Sequence, residues 1–220
     1  KNKFRVIALD MPGYGKSQYF SEANYSSIFH KNALISFIKK LKLKNVILIG
    51  HSYGGSVAIE TAANFDEIKK LVLIAPPSLQ KYTRAEVKMI KRNIKEALNF
   101  NYNLEKIVDA WHEKLIYKNS KTTDKFLHEF LGLVYSRAID KSVSVRKKVM
   151  INMFKSKISY RHTNYFKKIS IPILLIAGKD DKYIPRFQPR IMRRPTPTEF
   201  FPKVIKLNNN CKLKFINNCG

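Results

Sequence analysis

Four short runs of consecutive apolar residues recur along the chain, separated by segments with helical spacing. The runs occupy residues 5–9, 45–50, 70–75 and 171–177 and are rich in Val, Ile and Leu. Runs that are apolar at consecutive positions, rather than at alternate ones, are typical of parallel strands covered by helices on both faces. The pattern therefore predicts a parallel β-sheet at the centre of the chain.

Helical patterns fill the two intervals between the first three runs. In the first interval, apolar side chains recur three or four positions apart. They are Ile28, Leu34, Ile35, Phe37, Ile38 and Leu41. The second interval predicts a short helix over residues 57–65 that begins near Ser56. The order strand, helix, strand, helix, strand predicts right-handed crossovers and a doubly wound, mostly parallel α/β fold.

A long interval precedes the fourth run and interrupts this rhythm. We interpret residues 79–168 as an inserted helical cap between two parts of one core, residues 1–78 and 169–220. Thr83 and Glu86 have the spacing of a capping box that opens the first cap helix. An apolar cleft between such a cap and the sheet is a common kind of ligand site.

Proline punctuates the segment that follows the fourth run. Residues 193–198 read Arg-Arg-Pro-Thr-Pro-Thr, which we expect to interrupt any helix there. A further strand is predicted over residues 212–216, where apolar and basic side chains alternate.

The chain is strongly basic. Its 42 Lys and Arg residues against 16 Asp and Glu residues give a formal charge of +26. These basic residues are spread along the whole sequence rather than clustered beside a reading motif, so we expect solvated surfaces and no nucleic-acid partner. No apolar run approaches the 18 residues of a membrane span, and no signal-peptide pattern opens the chain. We expect a cytoplasmic protein with no membrane span.

Two cysteines flank the last predicted strand. An extended segment holds Cys211 and Cys219 roughly 25 Å apart, whereas a disulfide requires Cα atoms within about 7 Å. We therefore expect two free thiols. The sequence contains no metal-ligand cluster and no cofactor motif, so neither a metal nor a cofactor is expected.

The strongest local signal is the sequence GHSYGG at residues 50–55, between a predicted strand and a predicted helix. Such a strand–turn–helix strains the backbone of the central serine and projects its hydroxyl above the sheet edge. We predict Ser52 as a nucleophile and expect crowding to require glycine at both Gly50 and Gly54. The N–H of Tyr53, at a helix N-terminus, faces the position where an oxyanion would develop.

A second motif, DMPGYGKS, lies upstream at residues 10–17. Its end resembles a phosphate-binding loop, but that loop requires glycine at position 10, where this chain has Asp10, and a helix that opens at once. Residues 19–25 instead predict a loop. A nucleotide-binding loop is therefore excluded.

Together, the two motifs resemble the α/β-hydrolase superfamily, and specifically its capped branch of esterases, lipases and carbon–carbon-bond hydrolases. The resemblance covers nearly all of the 220 residues. It implies a serine hydrolase that cleaves a small ester or acyl substrate through an acyl-enzyme. Serine at position 52 argues against the dehalogenases and epoxide hydrolases of the family, which use aspartate there.

The resemblance also implies partners for Ser52 in the chain order serine, acid, histidine. The sequence GKDDKYIP at residues 178–185 is similar to the family's G-x-x-D-x-x-x-P, which places the acid on Asp181, with Asp180 as the alternative. Every histidine of the chain precedes Asp181. They are His30, His51, His112, His128 and His162.

The resemblance therefore implies a base beyond Gly220 and three family strands before Lys1. For this reason we expect the 220-residue chain by itself to be a weak catalyst, because loss of a triad histidine costs on the order of 10⁶ in turnover in subtilisin. We expect His51 to have a packing role, and His112, His128 and His162 to be surface or packing residues.

Two alternatives stay open. A carbon–carbon-bond hydrolase acting on a vinylogous diketone uses the same triad and cap. A non-catalytic binding protein would keep the fold and the cap pocket without the chemistry.

Overall fold

The computed structural model describes residues 3–79, 82–85, 87–88, 91–92, 148–149, 151–152, 155, 161–181 and 195–219. Helices and strands alternate along these residues. In chain order they are α1 (Ser27–Lys40), β1 (Val46–His51), α2 (Tyr53–Ala62), β2 (Ile68–Ile74), a 3₁₀ turn (Pro77–Leu79), α3 (Arg161–Lys168), β3 (Ile173–Gly178), α4 (Pro197–Ile205) and β4 (Cys211–Ile216).

The four described strands form one parallel sheet in the order β1-β2-β3-β4. Gly50 near the end of β1 pairs with Leu73 of β2, and Leu73 pairs with Leu175 of β3. The predicted parallel sheet is therefore confirmed, and its strand boundaries lie within about two residues of those expected. The carboxyl ends of all four strands lie at one edge, because every pairing is parallel.

One face of the sheet carries the hydrophobic core. Side chains of β2 and β3 that point to this face pack under helices α2 and α4, together with Phe166 of α3. Phe166 and Phe201 are fully buried, and each such side chain contributes roughly 1.5–3 kcal/mol of burial free energy. This layer fixes the helices against the strand ends.

The opposite face is open in the described part of the chain. Ile49 of β1 is 63% exposed and Leu174 of β3 is 38% exposed. Exposed Lys212 and Lys214 of β4 lie beside Leu174 and Ile176 in the register of this face. The expected helical layers on both faces are thus found on one face only among the described residues.

Helix α1 has conventional ends. The Ser26 side-chain oxygen accepts a hydrogen bond from the Phe29 N–H at 3.2 Å, which satisfies one of the unpaired donors of the first turn. Lys39 and Lys40 in the last turn complement the negative end of the helix dipole. Helix α2 begins at Tyr53 rather than near Ser56, so the expected start of that helix was wrong by one turn.

The strand expected at residues 5–9 is not formed. This segment is exposed along its length, with Val6 at 87%, and no described strand pairs with it. A strand is stabilised by backbone hydrogen bonds to a neighbour, and apolar sequence alone does not supply them.

Helix α4 was missed in the sequence. We expected residues 193–198 to interrupt a helix, but α4 begins within them at Pro197. Proline suits the first helical position, because its missing N–H would have no intrahelical partner there. Glu199 Oε2 accepts a hydrogen bond from the Thr196 N–H at 2.8 Å. The signal was therefore present as Thr-x-x-Glu with proline inside it.

The other expectations fall in part outside the described residues. Helical residues follow Thr83, and the Val87 N–H donates to the Thr83 carbonyl at 3.0 Å, as an opening helix requires. The remaining predicted cap helices lie outside the described residues. Cys211 and Cys219 are free thiols, as expected. No described helix has the length and apolar character needed to cross a bilayer.

Asn208 gives a test of how the second half of the core is held. Its buried amide nitrogen donates to the carbonyls of Phe166 at 2.6 Å and Ile169 at 2.8 Å, which joins the end of α3 to the start of β4. We expect Asn208→Ala to lower the free energy of unfolding by about 2 kcal/mol in urea denaturation, because two hydrogen bonds between buried groups are lost. Asn210→Ala removes one long contact of 3.4 Å and should cost less than about 0.5 kcal/mol. Equal losses in the two variants would contradict this account.

Candidate active site

Ser52 is the single residue between the last residue of β1 and the first residue of α2. Its backbone angles are φ 50° and ψ −122°, a region that costs a non-glycine residue about 1–3 kcal/mol. Two hydrogen bonds fix this conformation. The Ser52 N–H donates to the Ile74 carbonyl at 2.9 Å, and the Ser52 carbonyl accepts from the Gly55 N–H at 2.9 Å. The sharp strand-to-helix turn is therefore present as the motif predicts.

The glycines around Ser52 differ in what they permit. A Cβ on Gly50 would lie 2.5 Å from the Gly54 carbonyl oxygen and 2.8 Å from Gly55 Cα, both of which are backbone atoms. A Cβ on Gly54 would meet no described atom within 4 Å, so the expectation that crowding requires glycine there was wrong. Gly55 is the second crowded position, because its Cβ would lie 3.1 Å from Pro76. The first turn of α2 folds back over Gly50, and Gly54 faces outward.

Tyr53 occupies the first position of α2, where a backbone N–H has no intrahelical acceptor. Its side chain is buried, and its hydroxyl lies 2.8 Å from Nδ1 of His30. Burial, with smaller contributions from Tyr14 and Glu60, raises the pKa of Tyr53 well above its usual range. The phenol therefore keeps its proton and can donate it in a hydrogen bond.

His30 was missed as a member of this site. It lies in α1 with no solvent exposure, and its Nε2 is 2.9 Å from the Pro12 carbonyl oxygen. Burial lowers the pKa of His30, and the hydrogen bond to Pro12 opposes this in part. The only available signal was a polar ring within the helix that precedes the motif strand, which by itself does not indicate what the ring contacts.

The DMPGYGKS segment, residues 10–17, forms a closed loop that we call the glycine loop. The Asp10 carboxylate accepts a hydrogen bond from the Lys16 N–H at 2.8 Å, and the Ser17 hydroxyl donates to the Asp10 carbonyl. Gly15 has φ 49°, and a Cβ there would lie 1.9 Å from Asp10 Cγ. The next helix begins only at Ser27. Asp10 therefore closes this loop on itself, which agrees with the exclusion of a phosphate-binding loop.

The predicted acid lies at the same edge of the sheet as Ser52. Asp180 and Asp181 follow β3, and Asp181 is half-buried. The Asp180 N–H donates to the Cys219 carbonyl at 3.0 Å, so the turn after β4 lies against this loop. Only β2 separates β1 from β3, and two strand spacings amount to about 10 Å.

The described histidines have different environments. His51 is exposed on β1 rather than packed, so the expected packing role was wrong. Its side chain alternates with Gly50 along β1 and lies on the same open face of the sheet as Ile49. His162 is fully buried, with Nε2 3.0 Å from Glu60 Oε1, and Glu60 also accepts from the Ser27 hydroxyl at 2.7 Å. His112 and His128 lie outside the described residues.

The strained serine at a parallel-sheet edge agrees with a comparison by sequence. A family profile described as alpha/beta hydrolase fold matches residues 1–206. The chain belongs to the α/β-hydrolase family. The expected superfamily and fold class are thereby confirmed.

Comparisons with individual proteins agree with the family match. The chain is 30% identical over 169 residues to a Mycoplasma pneumoniae protein named as an esterase/lipase, covering 76% of this chain and 55% of that protein. It is 27% identical over 193 residues to the 2-hydroxy-6-oxononadienedioate/2-hydroxy-6-oxononatrienedioate hydrolase of Cupriavidus pinatubonensis, covering 83% and 62%. The structure of MenH from S. aureus superposes with a TM-score of 0.73 at 21% identity, covering 96% of this chain and 74% of MenH.

The chain corresponds to only part of the length of each of these proteins. The chain spans less than two thirds of the length of these two curated relatives. The solved structure supports the fold alone, because its sequence identity to this chain is low.

Gly50 and Gly54 give a direct test of the strand-to-helix turn at Ser52. We expect Gly50→Ala to destabilise the protein by about 1–3 kcal/mol, because the added methyl meets rigid backbone. Gly54→Ala should be neutral or stabilising by up to about 1 kcal/mol, since it adds a better helix former in open space. Thermal or urea unfolding of the two variants measures the difference. A Gly54→Ala variant as unstable as Gly50→Ala would be inconsistent with this geometry.

Proposed function

We propose that this α/β-hydrolase is a serine hydrolase that cleaves a carboxylic ester or related small acyl substrate through an acyl-enzyme. One observation carries the proposal. Ser52 is held in a strained turn at the carboxyl edge of a parallel sheet, with the first N–H of α2 directly after it. That arrangement exposes a nucleophile and places a hydrogen-bond donor beside it.

In the proposed reaction, the Ser52 hydroxyl oxygen attacks the carbonyl carbon and its proton passes to a histidine base. The carbonyl oxygen becomes an oxyanion that accepts a hydrogen bond from the Tyr53 N–H. The intermediate collapses, the C–O bond to the leaving alcohol breaks, and the histidine protonates that alcohol. Water then attacks the acyl-enzyme by the same route and releases the acid.

Asp181 is the proposed orienting acid, and the base is the histidine that the family places after the last core strand. The turn after β4 lies beside the acid loop through the Asp180–Cys219 hydrogen bond, which supports this assignment. His30 and His162 are both fully buried and contact other groups, so neither is proposed as the base.

A carbon–carbon-bond hydrolase is the second candidate. It is favoured by the relative named as a 2-hydroxy-6-oxononadienedioate hydrolase. The two candidates separate by substrate, since a p-nitrophenyl ester reports the first and a vinylogous diketone reports the second. In a non-catalytic binding protein, neither substrate would turn over.

Ser52→Ala tests the nucleophile. We expect the natural-length protein to hydrolyse p-nitrophenyl acetate or butyrate and the variant to lose on the order of 10³-fold or more in kcat. A fluorophosphonate probe should label the unmutated protein and not the variant, as read by intact-mass spectrometry. Absence of labelling and turnover in the unmutated protein would favour the binding-protein alternative.

A matched pair of variants tests the acid. We expect Asp181→Asn to lower kcat by about 10³- to 10⁴-fold, because the histidine loses the partner that holds its tautomer. Asp180→Asn should leave kcat within about threefold, because we assign that side chain no contact with the base. The reverse ranking in steady-state kinetics would transfer the role to Asp180.

A further inference from the structure

One imidazole joins three separate elements around Ser52. His30 of α1 has Nδ1 2.8 Å from the Tyr53 hydroxyl and Nε2 2.9 Å from the Pro12 carbonyl. Tyr53 opens α2 directly after Ser52, and Pro12 belongs to the glycine loop. Both nitrogens of a fully buried ring are therefore in contact with polar partners.

The chemistry of the partners fixes the direction of both hydrogen bonds. A carbonyl can only accept, so Nε2 of His30 carries a hydrogen and donates it to Pro12. Burial keeps the ring neutral, so Nδ1 has a lone pair and accepts from the Tyr53 hydroxyl. The result is a chain of two hydrogen bonds, in which the Tyr53 hydroxyl donates to His30 and His30 donates to Pro12.

Aromatic packing holds the ring in place. The His30 ring lies 5.6 Å from the Tyr53 ring at 80°, and 5.5 Å from the Phe29 ring at 66°. Tyr14 of the glycine loop lies 5.8 Å from His30 and 6.4 Å from Tyr53. A ring enclosed in this way has little freedom to rotate about its side-chain bonds.

We propose that His30 is a positioning residue, which fixes the oxyanion N–H of Tyr53 by anchoring the Tyr53 side chain to the glycine loop. The inference rests on the proposed function. Helix ends fray, and Tyr53 is the first residue of α2. Anchoring its hydroxyl limits the movement of the whole residue, including its backbone N–H. The proposal also gives the glycine loop a role that the hydrolytic residues leave unassigned.

The anchor stabilises the transition state of the proposed reaction more than it stabilises the bound substrate. The oxyanion exists only after Ser52 attacks, so a misplaced N–H weakens transition-state binding more than substrate binding. Kinetically, such a loss lowers kcat and leaves KM nearly unchanged.

The test compares Tyr53→Phe with Tyr14→Phe in the natural-length protein, using p-nitrophenyl butyrate. Tyr53→Phe removes the donor to His30 and keeps the ring. We expect kcat, counted per serine labelled by fluorophosphonate, to fall by about tenfold to a hundredfold with KM within about twofold. Tyr14→Phe removes a hydroxyl from the same aromatic group and should leave both values unchanged. Counting labelled serines separates the anchor from a mere loss of folded protein.

His30→Gln provides a second route to the same conclusion. It should lower kcat by a similar factor. Combining it with Tyr53→Phe should lower kcat little further, because both substitutions break the same chain of hydrogen bonds. Fully additive losses would overturn the proposal.

Imidazole ¹⁵N NMR checks the anchor without relying on turnover. The unmutated protein should show His30 protonated at Nε2 only, and Tyr53→Phe should shift the Nδ1 resonance toward that of an unbonded nitrogen. A proton on Nδ1 in the unmutated protein would overturn the anchor.

The two levels of the proposal fail in different ways. Turnover that depends on Ser52 but is unaffected by Tyr53→Phe would overturn the positioning role alone. Absence of any Ser52-dependent turnover would overturn the proposed function, and the positioning role with it.

Discussion

The site depends on the close approach of the first turn of α2 to the end of β1. Gly50 permits this approach, because the backbone of Gly54 occupies the space that a Cβ on Gly50 would need. The approach forces Ser52 into a positive φ and places Tyr53 at the start of the helix with its N–H unpaired by the helix itself. The same parallel register brings the Asp181 loop to that edge. The absence of a Cβ at Gly50 therefore positions the proposed nucleophile, Ser52, and the proposed donor, the Tyr53 N–H, together.

Much of this fold could be predicted because its signals are local. Buried parallel strands leave apolar runs, and the turn at Ser52 leaves glycines two positions before and after the serine, so the sheet and this turn were predictable from a few adjacent residues. Features that depend on distant partners were not. The segment at residues 5–9 has strand-like sequence and forms no ladder among the described residues, since pairing requires a neighbour. Gly54 matched the motif, but only the path of α2 reveals which glycine is crowded.

His30 and Glu60 illustrate the same limit for polar residues. Each is a polar side chain on a helix, and the sequence does not reveal its partners. In the structure, Glu60 is buried between the Ser27 hydroxyl and His162, which joins α1, α2 and α3. Burying a carboxylate costs free energy unless its oxygens have polar partners. Because the gain from these contacts roughly offsets that cost, they fix the relative placement of the helices rather than add much stability.

The basic charge has a physical consequence at the outer described strand, β4. An outer strand presents unpaired backbone N–H and C=O groups, which are a template for adding further strands from other molecules. Lys212 and Lys214 place positive charge at alternate positions of β4, beside the exposed Leu174 and the neighbouring Ile176. Two copies that approached along this strand would align like charges, so the repulsion acts as a colloidal barrier. Salt shortens the reach of that barrier from about 10 Å at 0.1 M to about 3 Å at 1 M. Solubility of this chain should therefore fall as ionic strength rises. The opposite trend is expected of a protein whose molecules associate with one another through surface ion pairs.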